Sequence, residues 1–147
     1  MAAIRSWVAR TFSGNRIAPL RYTLKASETF KKGDPVTIDS NEDVLALSGT
    51  DPTTILGFAA ENAANVIESG YVMVWPAIGD AIFAMSGSSD PDADNVNQSY
   101  GIIVDANGVW TVDETDTSAT RVYVVDVDVA RKLWFVTVLD ATRIIKA

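Results

Sequence analysis

The sequence predicts an all-β protein, a small antiparallel β-barrel or sandwich, on three observations. First, short runs rich in Val, Ile, Phe, Tyr and Trp recur at intervals of about 8–12 residues, the spacing of strands in such folds. Each run is too short for an ordinary helix and made of the types that suit a pleated surface. Second, the runs are separated by Gly, Asn, Asp and Pro clusters, including Asn107-Gly108, a strong hairpin signal. Third, Arg121–Val129 and Leu133–Leu139 form two apolar runs around the short polar connection Ala130-Arg131-Lys132.

Residues 1–19 carry Arg5, Arg10 and Arg16 and no acid. Ile4, Trp7, Val8 and Phe12 fall at helical spacing, and Ser13-Gly14-Asn15 would end a helix. An organellar targeting peptide, an interfacial membrane helix, an interaction arm and a plain segment packed on its own domain all fit. The arm reading is taken forward: residues 1–19 as an extended basic interaction arm, residues 20–147 as a single β domain.

Leu20–Lys25 alternates, with Leu20, Tyr22 and Leu24 on one face, as in a half-buried strand. Pro35–Ile38 and Asp43–Leu47 read as strands joined by turn residues. Ile55–Ala59 reads as another, with Gly57 at a bulge or a close backbone approach. Glu61–Ile67 fits either a helical turn or an irregular crossing. Tyr71–Trp75 and Asp80–Met85, around Pro76-Ala77-Ile78-Gly79, predict an antiparallel hairpin deep in the domain. Ser99–Val104 and Val109–Val112 predict a second hairpin. In Arg121–Val129 the odd positions Tyr123, Val125, Val127 and Val129 are apolar, which turns the face of Asp126 and Asp128 to water. Apolar residues on both faces of Leu133–Leu139 predict a central or covered strand.

The chain contains no cysteine and no histidine, so it lacks thiolate chemistry, a disulfide framework and the commonest general base and metal ligand. No run of about 18 apolar residues is present, the length needed for a membrane-spanning helix. Most acids stand in turns, where aspartate caps its own backbone: Asp34, Asp39, Asp51, Asp105 and Asp113. Asp90, Asp92 and Asp94 alternate like the opening of a calcium loop, but Asn95 and Gly101 stand where that loop needs Gly and Glu. No catalytic, cofactor-binding or metal-binding residue is assigned. Trp7, Trp75, Trp110 and Trp134 suit core or interface packing, or a sugar-binding platform.

Charge is strongly partitioned. Residues 1–32 hold seven Lys/Arg and one acid, whereas residues 33–120 hold fifteen acids and no Lys or Arg. An acidic body does not bind phosphate backbones, so nucleic acid is not expected as a partner. The basic segment suits an acidic partner, or the acidic body of a neighbouring copy.

Phe30-Lys-Lys-Gly-Asp-Pro-Val-Thr-Ile38, followed by Ile55-Leu-Gly-Phe-Ala-Ala60 and by the Val72-to-Phe83 hairpin, resembles the capsid decoration (cement) proteins of tailed bacteriophages. Tyr100–Leu139 is similar to the closing hairpins of such domains, so the resemblance covers residues 30–139. It implies a structural virion protein, not an enzyme, without cofactor or metal. Such a protein sits on the outer capsid surface, often as a homotrimer, and binds the major capsid protein and neighbouring copies of itself. On that resemblance the basic arm is the clamp: Trp7, Phe12 and Ile17 bury in capsid grooves, while Arg5, Arg10, Arg16 and Arg21 pair with capsid carboxylates. A tail-tube or head–tail joining subunit, and a carbohydrate-binding β module, are the alternatives.

Overall fold

A computed structural model describes residues 3–11, 18–48, 54–64, 70–78 and 81–139. Among them there is no α-helix. The strands are β1 (Trp7–Thr11), β2 (Leu20–Thr23), β3 (Thr29–Phe30), β4 (Pro35–Ile38), β5 (Val44–Ala46), β6 (Gly57–Ala59) and β7 (Ala63–Ala64), then β8 (Tyr71–Pro76), β9 (Ala81–Ser86), β10 (Ser99–Val104), β11 (Trp110–Asp113), β12 (Val122–Asp128) and β13 (Leu133–Val138). A six-stranded sheet has the order β1-β9-β13-β12-β10-β11, a five-stranded sheet β2-β8-β6-β4-β5, and β3 pairs with β7. The all-β barrel-or-sandwich prediction holds.

The five-stranded sheet curls, because a parallel bridge between Leu24 and Val44 brings its two edges together at one end. Leu24, Val36, Val44, Ala59, Val72 and Val74 are buried inside the curl, with Phe30 of β3 and Ala63 of β7 in the same cluster. A second, larger core lies between the sheets. There Phe58 from β6 meets Phe83 from β9 with ring centroids 4.4 Å apart. Trp134, Met85, Val122, Val124 and Val136 complete that core from the six-stranded side. Tyr100 meets Trp134 edge-on at 5.8 Å, a favoured aromatic geometry.

Three local pairings follow the sequence reading: β4 with β5, β10 with β11, and β12 with β13. β13 lies between β9 and β12, so both of its edges are paired and it is a central strand, as its apolar residues predict. Gly57 stands at a close backbone approach: a Cβ there would fall on the carbonyl oxygen of Trp75 and within 2.9 Å of the Pro76 Cα.

Three expectations are corrected. Tyr71–Trp75 and Asp80–Met85 do not pair with each other: β8 lies between β2 and β6, and β9 between β1 and β13. The connection from β8 to β9 therefore passes from one sheet to the other. Proline closes β8, and the Ala77 N–H donates to the Leu56 carbonyl, which carries the chain out of the sheet. Along β12 the inward residues are first Val122 and Val124. A bulge between Val124 and Asp126 then shifts the phase, so that only beyond it does an odd position, Val127, pack on the core. One extra residue moves every later side chain to the other face. Finally, Trp7–Thr11 is a strand rather than a helical face. It pairs with β9 through Trp7–Ala84, Val8–Phe83, Arg10–Ile82 and Thr11–Ala81.

Candidate partner-binding surface

The N-terminal segment lies along the body and ties the two sheets together. The Ile4 N–H donates to the Ser86 hydroxyl at 3.0 Å. Arg5 Nε donates to Asp34 Oδ1 at 2.9 Å, and its Nη2 reaches the Gly108 carbonyl at 3.5 Å. Gly33, at φ +93°, lies so close that a Cβ would fall on the Ser6 carbonyl oxygen. The left-handed conformation and the close approach both require glycine there. Ser6 is buried, and Trp7 is half-buried in the edge strand.

The residues expected to grip a partner are therefore distributed as follows. Arg5 and Trp7 lie in the segment held to the body. Arg10 lies in β1, paired with Ile82. Phe12, Arg16 and Ile17 lie outside the described residues, as does Asp51 among the turn acids. Arg21 is exposed on β2.

The described turn acids bond their own backbone. Asp34 Oδ2 accepts from the Lys31 N–H, and Asp39 Oδ1 from Asn41 and Asp43. Asp105 Oδ1 accepts from Asn107 and Val109, and Asp113 Oδ1 from Thr115. The backbone N–H of Asp43 holds the Asp39 carboxyl below the ordinary aspartate range. That of Arg131 does the same for Asp128, aided by the Arg131 side chain. In the loop with the alternating acids, Asp92 caps a short 3-10 turn over Ala93–Asn95 and Asp90 pairs with Lys132 at 3.4 Å. No group of three acids converges as a cation site among the described residues.

Two clefts were considered as chemical sites. One, of about 100 Å³, lies among Ile4, Ser86, Asp90 and Lys132, well below the size of ordinary ligand pockets. An open groove of about 480 Å³ beside Ile103, Asp105 and Thr111 has one carboxylate, already bonded to two backbone N–H groups. The first is also lined by Ser89, whose hydroxyl donates to the Glu114 carboxylate. Of the tryptophans proposed as a sugar platform, Trp110 and Trp134 are buried core residues.

One surface feature was not read from the sequence. On β8, Val72 and Val74 point into the curl, while Tyr71, Met73 and Trp75 occupy the alternate positions; Tyr71 is exposed, whereas Trp75 is half-buried and packs against the core between the sheets. The Arg21 guanidinium lies over the Tyr71 ring at 4.6 Å, and Lys32 Nζ lies 5.5 Å from the centre of the Trp75 ring. Among the described residues Tyr71 is the most exposed large apolar side chain, at 66 %. The Met73 N–H in this strip donates to Glu61 Oε1. The signal was present in the Tyr-Val-Met-Val-Trp alternation, but the sequence does not show which alternate face is covered.

Fold and surface together define an all-β protein with two main sheets and a cation-and-aromatic strip along β8, exposed at Tyr71 and packed against the core between the sheets at Trp75. Compared with known proteins, the chain matches no family model, and no curated protein was found similar to it.

Proposed function

We propose that this chain is a structural virion protein, a capsid decoration protein that binds the outer surface of the major capsid protein shell and stabilises the head. The observation that carries the reading is the relation between two of the segments that carry the resemblance, since the third, Val72 to Phe83, is a crossing between sheets rather than a hairpin. The Gly33-Asp34-Pro35-Val36 turn and the Gly57-Phe58-Ala59 return are hydrogen-bonded neighbours. The Gly33 N–H donates to the Ala59 carbonyl and the Ala59 N–H to the Asp34 carbonyl, both at 2.8 Å, and β4 continues the pairing with β6. These two segments thus form one structural unit at the centre of the curled sheet. The described acids that bond their own turns, and the small or singly charged clefts, suit a protein whose work is contact.

The fold changes how the N-terminal segment serves this function. Arg5 and Trp7 hold residues 3–11 to the body, and any shell contact by the basic segment then falls to Arg21 and to residues 12–17. Removing residues 1–19 would strip β1 from β9, so loss of binding on that truncation would not locate the contact.

The test is cosedimentation of the full chain with expanded heads assembled from the major capsid protein encoded in the same genome. Saturable binding and a higher head melting temperature are expected. Absence of binding, with rings or tubes formed by the isolated chain, would instead make it a tail-tube or joining subunit.

A further inference from the structure

The geometry points to a head-to-tail contact between two copies of this chain, in which the Arg21–Tyr71–Trp75–Lys32 strip of one copy receives the Asp90–Asp94 loop of the next. It rests on the proposed reading that copies of this chain bind one another, and names the two surfaces that meet. The chain has nineteen acids and twelve Lys/Arg, so a cation should easily find a carboxylate. Four described cations do: Arg5 with Asp34, Lys25 with Asp39, Arg131 with Asp128 and Lys132 with Asp90, while the exposed Lys31 has neither an ion pair nor a ring contact among the described residues. Arg121 is engaged with the Thr120 carbonyl. Arg21 and Lys32 form no ion pair among the described residues; each lies over an aromatic ring instead. A cation on a ring face keeps its charge available, and the ring beside it offers flat apolar area.

The complement is an exposed run of acids. Asp90, Asp92 and Asp94 alternate along the loop between β9 and β10, all exposed. Only Asp90 of the three has a cationic partner among the described residues. This loop belongs to the six-stranded sheet and the strip to the five-stranded one, and no ion pair joins them within a copy among the described residues. Because two different surfaces meet, the contact is heterologous, and it closes into a ring or propagates as a chain according to the rotation between copies.

A charge-swap experiment on the full chain tests it. Sedimentation velocity at about 0.15 M salt should show self-association of the wild type, weakening as salt rises. Arg21→Glu with Lys32→Glu makes both surfaces acidic, and Asp90→Lys with Asp94→Lys makes both basic. Each double variant alone should lose at least about tenfold in association. Mixed together, they should associate again, since each then meets its opposite. Tyr71→Ala, at an exposed position, should weaken association with the near-ultraviolet circular dichroism unchanged. A wild type that stays monomeric at about 1 mM overturns the inference, as does unaltered association of the Glu variant. A mixture that stays dissociated also overturns it, and leaves the strip to a foreign acidic partner.

Discussion

Arg5 and Asp34 meet at 2.9 Å across the junction of the two sheets, with side-chain exposures of 28 % and 14 %. Arg5 precedes the edge strand of the six-stranded sheet, and Asp34 stands in the turn that opens β4 of the five-stranded sheet. Their separation of 29 residues makes this an ion pair that reports on tertiary structure. Part of its Coulomb energy is screened by solvent, but Asp34 also accepts the Lys31 N–H.

Arg5→Ala is expected to destabilise the fold by about 1–2 kcal/mol, the range of a charged hydrogen bond with partial screening. Urea denaturation monitored by tryptophan fluorescence measures it. A change within about 0.5 kcal/mol, typical of surface substitutions, would show that the N-terminal segment does not staple the sheets.

Gly57→Ala should be far more costly than its one added methyl suggests. The new Cβ falls against the backbone of Trp75 and Pro76, so β6 and β8 must separate where both cores meet. A loss of at least about 2 kcal/mol is expected from overpacking. Gly70→Ala is the control, because nothing lies within 4 Å of its Cβ position. Equal stabilities for the two variants would contradict the close approach.

Phe58 and Phe83 carry the contact between the sheets, and truncating either to Ala should cost about 3–5 kcal/mol. Because the rings touch, the double variant should cost less than the sum of the single ones, with a coupling of about 0.5–1.5 kcal/mol. A double-mutant cycle in denaturant measures this. Strict additivity would place the two rings out of contact.

With no histidine, stability should be flat from about pH 5 to pH 8. Asp39 and Asp128 titrate below their ordinary value of 3.8 in the folded state, chiefly because backbone N–H groups of Asp43 and Arg131 stabilise their charged forms. A depressed carboxyl contributes stability that is full above its unfolded pKa and is lost as pH falls through its folded pKa. Tyr22 has the opposite sense. Burial raises its phenol above 10.0, so its contribution is full below that value and is lost as pH rises through the folded pKa. Carboxyl carbon shifts followed by NMR should place the Asp39 and Asp128 midpoints below 3.8, and midpoints above it would contradict these turn geometries.

Local chemistry was legible in the residues themselves. Aspartates followed by a small or polar residue in a turn bond the backbone a few residues on, and this holds at Asp39, Asp105 and Asp113 without reference to the rest of the molecule. The pairings β4–β5, β10–β11 and β12–β13 join neighbours in sequence through short loops, and their turn residues announce them. The cation-and-aromatic strip was half legible: Tyr71, Met73 and Trp75 alternate visibly, but Arg21 and Lys32 reach them from distant parts of the chain.

By itself, then, the sequence determined the strand class, the self-bonded turns, the hairpins closed by short loops and the partition of charge, because each depends on neighbouring residues. Tertiary structure alone decided that Tyr71–Pro76 and Ala81–Ser86 part into different sheets, that Trp7–Thr11 is an edge strand, and that a bulge reverses the faces of β12. A run–turn–run pattern is the same for a hairpin and for a crossing. What separates them is which distant strands offer free hydrogen-bonding edges, and that is a property of the assembled sheets.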